Sequence, residues 1–546
     1  MLNETVLYLF LIGVASLIHT NRRYDFLLSF AAAVFVCVVF GAFLLDFKTG
    51  LDTSYTLVLD SSQNTNIKLD IISSPQNYIL ILPFFVMTIL AMFNNAFFKY
   101  EPNKKNMAAC FVFNLLSLIM LISGHNFIQM MTFVLVVDIL SQLFIRDMRA
   151  GRLCSLYNLV SDMGLFLVLA MLEGKLSNLD VGNISHYYET GKHRDFIMFV
   201  VMFSLCIKFG FFLFQGYWLD LKKAKFHNLY FLPYLSSSMA ALILFVKFYP
   251  ILVVSPSFLP LVNWLSVLTA VFGTIGAVLS SKIKEKFMYF NMIVIAFLVK
   301  LLERLDFQWN IYFSTVLILC FILSMCFYYF HYDIERKQAA NKFAVFLEVL
   351  TTIGTASAIV LQTSFLFSKN TSWWILGFAL VLCFVLALLC RQVLLGVKNV
   401  KPIKPTDFLS IFVMLFLNAF VLFLCRSEVA QYWVVLLFLA CLMFAYYLTG
   451  FINITKTQEF EFQDVDFLGV FLRKCFITPF KKAGLLINIL TDFILLERTF
   501  FPLLSGANIW LIRTYRKISR MGLSYYFLCM LFGFLISFYL FIRSKQ

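Results

Sequence analysis

Lys208 stands in an otherwise apolar run that begins near Phe196, in the stretch Ser204-Leu-Cys-Ile-Lys208-Phe-Gly210-Phe-Phe-Leu-Phe-Gln-Gly-Tyr-Trp218-Leu219. An ammonium ion in such surroundings either holds charge or moves it. At mid-membrane depth a lysine costs roughly 2.5–3.5 kcal/mol on insertion scales, so it normally faces a bundle interior and has a partner. Gly210, two residues on, marks a place where a helix can loosen and let a second polar group or water approach. The competing reading is a lysine that snorkels to an interface. Its distance from both ends of the run speaks against that, and Lys208 is taken as functional.

The rest of the chain supplies the solvent that this reading needs. Hydrophobic residues make up 61% of the 546 and charged residues 13%, with a mean hydropathy of +0.87. Soluble domains run nearer 45–50% and 25%. The composition implies an all-α polytopic membrane protein. The first apolar run has no small-residue cleavage site after it and is expected to stay as a helix. The 12 cysteines show no CxxC or CxxH spacing and read as small core residues rather than disulfides or metal ligands. A net charge of +15 suggests nucleic acid in a soluble protein. Here the basic residues fall in short loops between spans, so they report topology and no nucleic-acid partner is expected.

Runs long enough to cross about 30 Å of hydrocarbon fall near 4–19, 25–45, 78–98, 107–123, 127–145, 153–172, 196–215, 229–250, 257–280, 287–302, 309–331, 343–368, 372–396, 407–425, 430–452 and 524–543. That is about sixteen transmembrane helices. Basic residues crowd alternate loops, as in Arg146/Arg149/Arg152, Lys222-Lys223/Lys225 and Lys282/Lys284/Lys286. Gly124-His125-Asn126 and Ser255-Pro256-Ser257, on the opposite side, carry neither lysine nor arginine. The positive-inside rule then predicts both termini on the non-cytoplasmic side. Residues 46–77 read as a polar outer connector. Residues 456–522 mix apolar runs with frequent charges, and the part from Val465 to Phe500 suits a long amphipathic helix lying along a surface of lipid or protein.

Several motifs, taken in order, resemble a family: the antiporter-like subunit L of respiratory complex I, the bacterial proton-translocating NADH:quinone oxidoreductase. Lys208-Phe-Gly210 with Trp218-Leu219 is similar to the family's seventh helix and the loop after it. Tyr157-Asn158-Leu-Val-Ser-Asp162-Met-Gly164 is similar to its sixth. Ser236-Ser237-Ser238-Met239 followed by Lys247-Phe-Tyr-Pro250 is similar to its eighth, and Ser364-Phe-Leu-Phe-Ser368-Lys369-Asn370 to its broken twelfth. The tail from Arg516 through Tyr526 to Gly533 resembles that subunit's ending.

The resemblance implies broken helices and a division into N-terminal helices with an outer loop (1–100), two antiporter-like repeats (101–250 and 251–400), C-terminal helices (401–455), a lateral amphipathic helix (456–522) and a final anchor (523–546). It also implies roles. Asp138, in Val136-Val137-Asp138-Ile139-Leu140-Ser141, falls on the position of the family's fifth-helix glutamate, the partner of the seventh-helix lysine. An aspartate and a lysine inside a membrane favour each other's charged form, so a mobile pair can load and eject a proton. Lys369 takes the place of the terminal lysine on the outer side. Subunits of the M, N and K type are the implied partners, with the lipid bilayer of a bacterial inner membrane. No Gly-rich nucleotide fingerprint and no iron–sulfur or zinc pattern is found, so no cofactor is expected in this chain.

The sequence also departs from that pattern. The family's eighth-helix histidine falls near Tyr234 or Leu235, and Ser314 to Tyr329 holds neither the histidine nor the lysine of the eleventh helix. Asn370 replaces an aspartate. The end groups remain while the central relay is largely gone, with Tyr234, Ser236, Ser237, Ser238 and Glu348 as partial replacements. Two other readings therefore stay open: a cation/proton antiporter subunit of the Mrp type, and a non-conducting structural paralogue.

Overall fold

The computed structural model describes residues 2–18, 25–49, 53–62, 65–97, 107–145, 152–173, 194–221, 230–254, 258–280, 283–304, 313–314 and 316–325. All belong to the first of two compact units of the chain, Met1–Gln463. Lys369, Glu348, the lateral helix expected at 456–522 and the last five of the sixteen expected spans lie outside the described residues.

What is described is a helical bundle: α1 (Leu2–Ile18), α2 (Asp25–Thr49), α3 (Pro75–Phe97), α4 (Met107–Ser123), α5 (Phe127–Ile145), α6 (Arg152–Glu173), α7 (Arg194–Phe209), the short α8 (Gly216–Leu221), α9 (Ser237–Val254), α10 (Phe258–Leu279), α11 (Ile283–Arg304) and α12 (Val316–Met325). Apolar runs of this length form helices because lipid offers no partner to a free backbone N–H or C=O, and a helix satisfies both within itself. Pro75–Phe93, Phe127–Ile145 and Pro260–Ala277 are each long and apolar enough to cross a membrane, and shorter apolar helices accompany them. α4 is enclosed along nearly its whole length by α1, α3 and α5. α6 packs on α7 and α10 on α11.

Outward-facing positions on α6 and α10 are apolar. On α10 they are Leu261, Trp264, Leu268, Val271 and Ile275, spaced three or four apart along one stripe. On α6 they are Leu159, Val160, Met163, Phe166 and Leu167. A soluble bundle would place charges on these faces; a bundle in hydrocarbon has no reason to.

Local signals set several ends. Gly124-His125-Asn126 joins α4 to α5, where Asn126 Oδ1 accepts from Ile128 N at 2.9 Å and caps the second helix. Ser74 caps α3, its hydroxyl accepting from Asn77 N at 3.2 Å, with Pro75 at the first helical position.

Three features differ from the hydropathy reading. The connector at 46–77 is not irregular throughout: Thr53–Ser62 and Thr65–Ser73 pair as an antiparallel hairpin, with a register shift between Val58 and Asp60. The described residues are thus mostly helical rather than wholly so. In Asn66-Ile-Lys-Leu-Asp-Ile71 polar and apolar side chains alternate, which favours a strand. The span read as 229–250 begins as helix only at Ser237, because Pro233 biases the residue before it away from the helical region. The span read as 196–215 stops at Phe209, for reasons that concern the site.

Candidate functional site

Lys208 lies in the last turn of α7 and is 0% exposed. The chain ends the helix there with two crossed hydrogen bonds: Gly210 N donates to Ile207 O at 3.0 Å and Phe211 N to Cys206 O at 3.3 Å. This is a Schellman closure. It needs a left-handed residue, and Gly210 has φ +63°. The Phe209 carbonyl accepts from Trp218 Nε1 at 3.0 Å, so α8 returns to cap the helix it follows. Phe212 N donates to Thr269 Oγ1 at 2.9 Å and fixes the intervening turn to α10. The lysine therefore sits at a helix C-terminus, where a cation is favoured by the helix dipole.

Two carboxylates from two other helices meet this ammonium. Asp138 on α5 pairs with Lys208 Nζ through Oδ2, and Asp162 Oδ1 on α6 lies 2.8 Å from the same nitrogen. Both aspartates are buried, at 3% and 6% exposure. Full enclosure removes the snorkelling reading of Lys208. With every group ionised the cluster carries one negative charge more than positive, so it has room for one more proton.

α6 and α7 approach closely to build it. Ser161 Oγ donates to Ser204 O at 2.8 Å, and a Cβ on Gly164 would fall on the Ser204 hydroxyl. A larger residue at 164 would move the helix that carries Asp162 away from the one that carries Lys208.

A second layer joins the two carboxylate helices. Ser141, on α5, donates to Asp138 O at 2.7 Å and lies 3.4 Å from Ser237 Oγ. Asn158, one turn before Asp162, donates to the same Ser237 Oγ at 2.8 Å. Asp138 Oδ1 and Asn158 Oδ1 are buried and accept no hydrogen bond from the described residues. Such acceptors carry a desolvation penalty that a donated hydrogen bond would relieve.

The sequence-derived candidates thus separate into groups. Asp138 and Lys208 are in contact. Ser237 touches their support through Ser141 and Asn158. Ser236 and Ser238 lie 3.2 Å apart, with Ser238 donating to Pro233 O at 3.0 Å. Tyr234 faces elsewhere, its hydroxyl 3.0 Å from Cys320 O and 2.8 Å from Ser324 Oγ.

The sequence reading leaves Asp162 out of the site, although the structure places it against Lys208. Asp162 carried a usable signal, since Asn158 and Asp162 are four apart and share a helix face. The reading also left out the buried Lys300 of α11, which pairs with Asn263 of α10. Among the described residues no cluster of three His, Cys, Asp or Glu side chains is placed to hold a metal ion.

Residues 113–292 match the family described as NADH:quinone oxidoreductase/Mrp antiporter, TM. No curated protein sequence matches the chain. The fold is similar to a chain of the Mrp complex from Dietzia sp. DQ12-45-1b, at 13% identity and a TM-score of 0.65, over 100% of this chain and 63% of that one. It is also similar to a chain of respiratory complex I from Thermus thermophilus with bound NADH, at 11% identity and a TM-score of 0.62, over 81% of this chain and 100% of that one. This chain therefore spans 63% of the length of the Mrp chain it matches. The matched residues include Asp138, Asp162, Lys208, Ser236, Ser237 and Ser238. The stretch that holds the lysine and both aspartates is thus the one similar to the membrane segment described for that family.

Proposed function

We propose that this chain is a proton-translocating, antiporter-like subunit in the membrane arm of an NADH:quinone oxidoreductase. The observation that carries the reading is one fully buried lysine held by two buried carboxylates beside a helix break. A buried charge cluster of this kind is costly as a stabilising device, because desolvation offsets most of the attraction. Intramembrane ionisable groups usually serve transport.

In this reading quinone reduction elsewhere in the assembly changes the separation between Asp138 and Lys208. Parting them weakens the hold on the ammonium proton, which then leaves along hydroxyl groups and water. Restoring the contact draws in the next proton. Asp162 keeps the lysine from being stranded when Asp138 withdraws, so each step leaves at least one ion pair intact. Lys369 is the terminal group on the outer side, and Tyr234, Ser236, Ser237, Ser238 and Glu348 are candidates for the path between. The chain itself performs no redox chemistry and binds no cofactor. Subunits of the M, N and K type flank it in a bacterial cytoplasmic membrane, with both termini on the outer side and residues 456–522 bracing its neighbours.

A second reading is a monovalent cation/proton antiporter subunit of the Mrp type, favoured by a match to the Mrp chain that runs over the whole of this one. The two differ in what drives the proton. The test is to purify the complex that contains this chain, reconstitute it in liposomes and measure proton movement driven by NADH and quinone, then by an imposed sodium gradient. NADH-driven movement supports the oxidoreductase. Movement with sodium alone, with no NADH oxidation in the preparation, supports the antiporter, and movement with neither would make the chain a scaffold.

A further inference from the structure

Lys208 has two carboxylates, but Asp138 has one ammonium. If the two part, Asp162 stays with the lysine and Asp138 is left as a buried carboxylate in need of a donor, a costly state. Among the described residues a buried donor near it stands unused. Tyr217, in the short α8, is 1% exposed, and its hydroxyl makes no hydrogen bond with the described residues. That hydroxyl lies beside Ser237 of α9 and Cys154 of α6, and near enough to Asp138 to feel its charge.

The fold holds the phenol there firmly. Trp218, next in the chain, donates from Nε1 to Phe209 O at 3.0 Å and ties α8 to the end of α7. The rings of Tyr217 and Trp218 pack edge to face at 5.1 Å, and α8 lies against α6, the helix of Asp162. The contacts that close the helix of Lys208 therefore also fix Tyr217. A buried tyrosine hydroxyl usually has a partner, and one without it is destabilising. Phenylalanine would fill the same space without that penalty. Asp138 shows the complementary mismatch: Oδ2 holds Lys208, while Oδ1 accepts nothing from the described residues. An unused donor and an unused acceptor thus share one neighbourhood, short of contact while the ion pair is closed.

We propose that Tyr217 is the second partner of Asp138 and receives its carboxylate when the Asp138–Lys208 contact opens. It rests on the proton-translocating reading above. The phenol keeps its proton throughout and only donates a hydrogen bond, which an ionised acceptor makes stronger than a neutral one. In the closed state Lys208 holds both aspartates and the Tyr217 hydroxyl is idle. In the open state Lys208 keeps Asp162, and Asp138 exchanges the ammonium for the phenol. Neither charge is bare in either state, so the switch avoids the full penalty of an uncompensated buried ion. Tyr217 is a positioning residue that sets how readily the pair opens.

The test uses the complex in liposomes, driven by NADH or, if it oxidises none, by a sodium gradient. Tyr217→Phe and Lys208→Ala are compared with wild type for thermal midpoint and for proton movement per assembled complex. Tyr217→Phe is expected to keep the wild-type midpoint or raise it, because the closed state loses no hydrogen bond. It is expected to slow proton movement about tenfold or more, because the open state loses a hydrogen bond to a charged group. A hydroxyl that serves structure alone predicts the opposite pair, a lower midpoint with movement unchanged. That result, unchanged movement at any midpoint, or failure of Tyr217→Phe to assemble overturns the proposal. A lower midpoint together with slowed movement also overturns it, because the hydroxyl would then be bonded in the closed state. Loss of movement in Lys208→Ala with Tyr217→Phe unaffected overturns this inference alone. Retained movement in Lys208→Ala removes the transport reading, and this inference with it.

Discussion

Asp162 Oδ1 lies 2.8 Å from Lys208 Nζ, on a nitrogen that Asp138 of a different helix already holds. Three helices, α5, α6 and α7, therefore meet at one ammonium group. Displacement of any one changes the charge balance of the others, because in surroundings this dry an ion pair is sensitive to small changes in distance. The two aspartates are not equivalent. Ser141 ties the backbone of Asp138 to Ser237, while Asn158 reaches Ser237 from the helix of Asp162.

Asp138→Asn and Asp162→Asn should each impair proton movement, and their effects should not add. Residues that share one partner typically show coupling of about 0.5–3 kcal/mol. The double variant is expected to be little worse than the worse single one. A double-mutant cycle on transport rate checks this, and simple additivity would mean that the aspartates act independently.

Removing the cation should be harder on the protein than removing charge evenly. Lys208→Met leaves two buried carboxylates without a counter-ion, a change of the kind that costs about 3–5 kcal/mol. Adding Asp138→Asn and Asp162→Asn to Lys208→Met should recover part of that loss. Thermal unfolding of the purified complex would show a lower midpoint for the single variant than for the triple one.

Gly210→Ala should weaken the end of α7. A left-handed conformation costs a residue with a side chain roughly 1–2 kcal/mol, and the added methyl would run into the Trp218 ring. Trp218→Phe removes the donor to Phe209 O, at about 1 kcal/mol, and part of a buried ring besides. Both variants are expected to lower the assembled yield below that of wild type.

Gly164→Leu is expected to abolish transport while Gly164→Ala reduces it, since any side chain there presses on Ser204 and parts α6 from α7. Proton movement per assembled complex is the readout. Equal activity in wild type and Gly164→Leu would show that the Asp162–Lys208 contact does not limit function.

Hydropathy and punctuation were enough for some of this arrangement. The spans read at 107–123 and 127–145 coincide with α4 and α5, because Asn126 both ends one apolar run and caps the next. Lys208 stood out because a charge in an apolar run has few explanations, and Gly210 because glycine two residues later is where such a helix can close. Asp162 was harder, since it sits among Asn158, Ser161 and Gly164, where polarity alone does not distinguish a site from a packing seam. The break of α7 depends on one φ angle, which hydropathy does not register.

The most direct measurement is proton translocation by the reconstituted complex carrying Lys208→Ala, alongside Asp138→Ala, with assembly verified for each. The central claim is that the buried lysine moves a proton rather than merely joining helices. It predicts that both variants assemble and that both lose proton movement. Assembled Lys208→Ala complex that still moves protons at the wild-type rate would contradict it.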